Sequence, residues 1–139
     1  MKEAFYIDSN IFLYPVLYEN TPESTAAEKV LKKIENTEIT AYTSTLTWDE
    51  ITFCVFKITG RFNSITAGRK FITFPNLRFV AVDESVISKS QRLMEEYNLH
   101  PRDAIHCACA LEKGIKKLIT NDKHFQEVGE IEVLPLLKI

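Results

Sequence analysis

Five short apolar runs, at residues 4–7, 39–43, 79–82, 118–119 and 131–134, alternate along the chain with longer stretches in which apolar side chains recur at helical spacing. Strands joined through helices pair in parallel, and a parallel sheet needs both of its faces covered. The pattern therefore predicts an α/β fold, a three-layer α/β/α sandwich around a central parallel sheet. With 139 residues, 45% of them hydrophobic, the chain is long enough to bury a substantial core, and one domain over residues 1–139 is expected.

The helical stretches carry their own start signals. Thr21-Pro22 supplies proline at the first helical position, followed by Ala26, Ala27, Val30, Leu31 and Ile34 on one face. Asp83 opens another amphipathic helix, with Val86, Ser90, Leu93 and Tyr97 in register. Residues 101–111 differ: their interior is small or apolar on every side, which predicts a helix buried all round. There are only four glycines and no glycine-rich loop, so a phosphate-cradling loop and a dinucleotide fingerprint are both excluded.

Four acidic residues stand at these expected strand ends and helix starts. Asp8 ends the run Phe5-Tyr6-Ile7, and Asp122 follows Leu118-Ile119-Thr120-Asn121. Glu50 leads into an apolar helix beyond Tyr42-Thr43-Ser44, and Asp103 lies in the first turn of the buried helix. Ligands of open α/β sheets bind beyond the carboxyl ends of the strands, so acids distant in sequence can converge there. Hard divalent cations favour such oxygen ligands, which makes Asp8, Glu50, Asp103 and Asp122 a candidate site for Mg²⁺ or Mn²⁺. Each acid also has an ordinary structural use. Asp103 suits a helix N-terminus, Thr47-Trp48-Asp49-Glu50 fits a capping box, and Asp8 and Asp122 suit turns. Their combination is what points to a site.

His106 lies three residues after Asp103 and could share its face, but its apolar neighbours predict a hydrogen-bonded core histidine. His100 and His124 are expected to be exposed, and Trp48 and the phenylalanines to belong to the core. Cys54, Cys107 and Cys109 lack zinc-ligand spacing and read as small buried thiols. The net charge of −2 gives no global basic signature, yet residues 51–82 hold Lys57, Arg61, Arg69, Lys70 and Arg78 and no acid. Lys57, Arg61, Arg69 and Lys70 are candidates for contacts to RNA phosphates, with a solvated helix face as the plainer alternative. The N-terminus has no signal-peptide organisation, and no apolar run approaches the roughly 18 to 20 residues of a membrane span. A cytoplasmic location is expected.

The stretches Tyr6-Ile7-Asp8-Ser9-Asn10, Thr43-Ser44-Thr45-Leu46-Thr47-Trp48-Asp49-Glu50, Pro101-Arg102-Asp103-Ala104-Ile105-His106 and Ile119-Thr120-Asn121-Asp122 occur in this order over nearly the whole chain. Together they resemble the PIN-domain nucleases, in particular the short VapC-type toxins of toxin–antitoxin pairs. The resemblance implies a Rossmann-like sandwich, Mg²⁺- or Mn²⁺-dependent cleavage of RNA, a small antitoxin as partner, and a homodimer. It matches Asp8, Glu50, Asp103 and Asp122 to the family's acidic quartet and Asn10 and Thr120 to supporting polar positions, with Asn121 beside them. Asp49 adjoins Glu50, but Ile51 and the apolar helix follow Glu50 directly. The expected chemistry is in-line displacement leaving a 5′-phosphate and a 3′-hydroxyl, with no protein nucleophile. Two other readings use the same residues. One is a freestanding RNA-processing or RNA-binding protein, the other a phospho-acceptor or phosphotransfer domain. Against the phosphatase version of the latter, Asn10 stands where a second aspartate would be needed.

Overall fold

The structure is a computed structural model and describes residues 2–139. Strand β1 (Ala4–Ile7) leads into helices α1 (Ser9–Leu17) and α2 (Pro22–Glu35), and β2 (Thr40–Ser44) into α3 (Thr45–Thr59) and α4 (Arg61–Ile72). Strand β3 (Leu77–Val80) leads into α5 (Glu84–Glu96) and α6 (Pro101–Glu112). Strand β4 (Lys117–Thr120), a 3-10 turn (Lys123–Glu127) and β5 (Glu132–Pro135) complete the sheet.

The five strands run parallel in the order β3-β2-β1-β4-β5. Side chains alternate across the sheet and separate two cores. Phe5, Ile7, Ala41 and Ile119 join Ile11, Val30, Ile34, Val55 and Phe71 on one face, and Tyr6, Val80 and Leu118 join Val86, Leu93, Cys107 and Ala108 on the other. Helices α1 to α4 thus cover one face and α5 and α6 the other, the predicted three layers.

Local chemistry starts the helices where expected. The Thr21 hydroxyl accepts from the Ser24 amide at 3.0 Å ahead of Pro22, and the Asp83 carboxylate accepts from the Val86 amide at 3.0 Å. Between α3 and α4, Gly60 adopts φ = +94°, a left-handed conformation that a side chain would oppose. The chain therefore breaks one long helical stretch into a hairpin.

The structure differs from the sequence reading in four places. Strand β3 lies two residues earlier than 79–82, because it is an edge strand that buries only Leu77 and Val80 while Arg78 and Phe79 face out. The capping box at Thr47–Glu50 does not form. Helix α3 begins at Thr45, and the Thr47 hydroxyl is spent on Thr43, 2.7 Å away. Trp48, Phe53, Phe56 and Phe62 are not core residues: Trp48 is 45% exposed and Phe62 81%. The α3–α4 hairpin buries one stripe, Ile51, Val55, Ala67 and Phe71, and among the described residues its outer face is uncovered. Cys107 and Cys109 are buried as expected, while Cys54 is only half-buried.

Candidate active site

Strands β1 and β4 are neighbours, and the Asp8 amide donates to the Ile119 carbonyl at 3.1 Å. Asp8 and Thr120 therefore stand side by side at the carboxyl ends of adjacent strands. The Asp8 carboxylate accepts from the Ser9 amide at 2.7 Å, from the Thr120 hydroxyl at 2.6 Å and from Asn10 Nδ2 at 3.3 Å. Asn10 Nδ2 also reaches Thr120 Oγ1 at 3.2 Å, and the Asp122 amide donates to that same oxygen at 2.9 Å. One hydroxyl thus couples the two strand-end acids. Asn121 sits apart, donating to the Tyr14 hydroxyl at 2.7 Å.

The other two acids arrive from helices. Glu50, in the second turn of α3, contacts His106 Nε2 through Oε1, and that nitrogen also lies 3.7 Å from Asp8 Oδ1. His106 Nδ1 lies 2.5 Å from the Tyr6 hydroxyl. Asp103, in the first turn of α6, lies 3.9 Å from His124 Nδ1, which is itself 2.9 Å from Asp122 Oδ1. Asp8, Glu50 and His106 form one group whose ligand atoms lie within 4.8 Å of one another, and Asp103, Asp122 and His124 form a second. Glu50, Asp103 and Asp122 line a single open cavity of about 480 Å³, together with His100, Arg102 and His124.

Burial, and after it the crowding of like charge, shifts the acids of this site. Burial raises the Asp8 carboxyl above its ordinary range; the nearby His106 and the hydroxyl of Thr120 offset part of that rise, and Glu50 adds to it. Asp103 is raised by burial and then by the charges of Asp122 and Asp8. Burial opposes a charge on His106, yet its hydrogen bond to Glu50 and the charges of Asp8, Glu50 and Asp103 outweigh this, so its pKa is raised. Burial foremost pushes the Tyr6 phenol well up.

The PIN domain family model matches residues 5–131, an interval that includes all four acids. The chain belongs to the PIN-domain family. Among relatives, Ribonuclease VapC2 of Methanocaldococcus jannaschii is 22% identical over 147 residues, covering 97% of this chain and 95% of its own. In structure, this PIN domain is similar to VapC20 of Mycobacterium tuberculosis, a sarcin–ricin loop cleaving toxin, with TM-score 0.74 at 17% identity and coverage of 94% of this chain and 99% of that one. It is also similar to a chain of a toxin–antitoxin complex from Klebsiella pneumoniae, with TM-score 0.68 at 22% identity and coverage of 96% and 98%.

In this PIN domain the basic window does not form one surface. Arg61 and Arg69 line a groove of about 680 Å³ between α3 and α4 with Trp48, Phe53 and Phe56. Asp49, at the groove's end, pairs with Arg102 at 3.6 Å, and Arg102 lines the acid cavity, so the two hollows adjoin. Lys70 lines a different hollow beside Phe12 and Phe71, and Lys57 is exposed.

Two residues at this site, His124 and Tyr6, have no site role in the sequence reading, and His106 is the hydrogen-bonded core histidine expected. His124 gave a signal, since a histidine two residues past a strand-end aspartate can turn back to it. Of the partners of His106, Glu50 is 56 residues away and Tyr6 is 100 residues away. No local pattern encodes those contacts.

Proposed function

We propose that this PIN domain is a divalent-metal-dependent endoribonuclease and the toxin of a toxin–antitoxin pair. The observation that carries the reading is that Asp8 with Glu50, and Asp103 with Asp122, form two neighbouring clusters at the carboxyl ends of β1 and β4, with Glu50, Asp103 and Asp122 on one cavity. The donor set fits Mg²⁺ or Mn²⁺: carboxylate oxygens on rigid element ends, with Asn10 Oδ1 buried beside them and lacking a partner. Asp8, Asp103 and Asp122 are assigned to hold the ion, with Glu50 holding a second ion or orienting the attacking water. When bound, a divalent ion supplies Lewis-acid polarisation of the scissile phosphate and activation of water.

The chain's own residues do the rest. Thr120 and Asn10 hold Asp8 in one orientation through its Oδ2, and Thr120 ties Asp122 to the same point. Arg61 and Arg69, in the groove adjoining the acid cavity, are assigned to the phosphates of flanking nucleotides. Displacement in line leaves a 5′-phosphate and a 3′-hydroxyl. Similarity to a ribonuclease and to toxins of toxin–antitoxin systems supports the substrate class and a small antitoxin as partner. A homodimer and a cytoplasmic location complete the proposal. Among the described residues no helix is long and apolar enough to cross a membrane.

Incubation of the purified protein with a panel of structured RNAs, with Mn²⁺ or Mg²⁺ and then with EDTA, tests the reading. Cleavage that leaves 5′-phosphate ends and stops on chelation is expected. Intact RNA across the panel, or cleavage indifferent to EDTA, contradicts it.

A further inference from the structure

We infer that His106 is a positioning residue for the acidic site, a ring held by Tyr6 that orients the Glu50 carboxylate toward the cavity shared with Asp103 and Asp122. The inference rests on the reading of these acids as a divalent-cation site. Glu50 has the longest side chain of the four acids, and among the described residues its side-chain hydrogen bond is to His106 and not to its own helix. His106, on α6, supplies the constraint.

An ionised carboxylate only accepts hydrogen bonds, so His106 Nε2 carries its hydrogen to Glu50 whether the ring is neutral or charged. In the neutral ring Nδ1 then accepts, and its donor is the Tyr6 hydroxyl at 2.5 Å. Tyr6 is 0% exposed and His106 1%, so the ring and the hydroxyl that holds it are shut off from solvent. Turning the ring would break both contacts at once, at a cost comparable to leaving buried polar groups unpaired. The same Nε2 lies 3.7 Å from Asp8 Oδ1, next to the strand-end acid as well as the helical one. Helix α6 thus contributes Asp103 to the cavity and, one turn later, the support that aims a carboxylate from α3.

Mn²⁺ titration of the full-length protein, read by the electron paramagnetic resonance of the free ion, tests this. His106→Leu removes the donor, and His106→Gln restores an N–H of similar reach. Tyr6→Phe keeps the imidazole but releases it. Loss of a hydrogen-bond partner behind a ligating carboxylate weakens metal binding about 10- to 100-fold, the drop expected for His106→Leu. His106→Gln should recover most of that affinity, and Tyr6→Phe should fall between wild type and His106→Leu. Wild-type affinity in a folded His106→Leu overturns the inference. If His106→Leu does not fold, wild-type affinity in Tyr6→Phe overturns it instead. A nitrogen hyperfine coupling to bound Mn²⁺ that vanishes in His106→Gln makes His106 a ligand and overturns the positioning role. A wild-type protein that binds no Mn²⁺ sinks the metal reading along with this one, whereas binding that is indifferent to all three variants sinks only this one.

Discussion

The phenolic oxygen of Tyr6, in the strand that ends at Asp8, lies 2.5 Å from Nδ1 of His106, in the helix that begins beside Asp103. A strand and a helix that each carry an acid are joined by one polar contact within an apolar layer. Tyr6→Phe leaves the buried Nδ1 without a partner. A loss of about 1–3 kcal/mol in unfolding free energy is expected in urea titration, with the native fold retained. An unchanged midpoint and slope would mean that the contact contributes nothing to stability.

Stability of the metal-free protein should fall as pH rises. The Asp8 and Asp103 carboxyls are raised from the ordinary 3.8, so between that value and their folded values the native state binds more protons than the unfolded chain. Their contribution is favourable at low pH and is lost as pH climbs through the raised values. His106, raised from 6.5, adds stability that is complete below 6.5 and disappears as pH passes its folded value. Both effects have the same sign. Thermal unfolding in EDTA should therefore give a lower midpoint at about pH 8 than at about pH 5.5, and saturating Mn²⁺ should raise the midpoint more at the higher pH.

Much of this arrangement could be read from the sequence, for local reasons. Strand β1 was legible because Phe5-Tyr6-Ile7 is an apolar run cut off by Asp8-Ser9-Asn10, and α2 because Thr21-Pro22 signals a start before an apolar stripe. Asp8 and Asp122 were legible as strand-end acids, and adjacent parallel pairing of β1 and β4 brings those ends together. Glu50 was harder to read, since Thr47–Glu50 matches a capping box, and only the bond from Thr47 to Thr43 removes that use. The outer aromatic face of the α3–α4 hairpin was illegible because hydrophobic composition does not tell a covered helix face from an uncovered one.

The cysteines should divide into two classes. Burial pushes the Cys107 and Cys109 thiols up to about 12, so thiolate is scarce there near neutral pH, whereas Cys54 is half-buried. Iodoacetamide at about pH 8 is expected to modify Cys54 first in the folded protein, and all three residues only after denaturation. Peptide mass spectrometry reads the order, and early labelling of Cys107 would contradict the packing of α6 against the sheet.

Arg61 and Arg69 can be tested through salt. If both contact phosphates, replacing them with alanine should flatten the dependence of log affinity on log salt by about 1.4, two contacts at about 0.7 each for a single strand. Fluorescence anisotropy with a labelled RNA measures the slope. A wild-type slope in the double variant would leave the groove between α3 and α4 without a role in binding RNA.

Asp8 accepts three hydrogen bonds at the centre of the proposed site, so Asp8→Asn should lower RNA cleavage by more than the roughly 100-fold lost with outer partners of a metal, while the protein stays folded. Cleavage rates and far-ultraviolet circular dichroism check the two halves of this expectation. Cleavage at the wild-type rate would remove Asp8 from the site.

The convergence of acids on one divalent ion is tested most directly by anomalous diffraction from crystals grown with Mn²⁺. The account predicts an anomalous peak bounded by carboxylate oxygens of Asp8, Asp103 and Asp122, with Glu50 at its edge. No anomalous peak among these carboxylates, or an ion bound elsewhere on the surface while they stay unliganded, would contradict it.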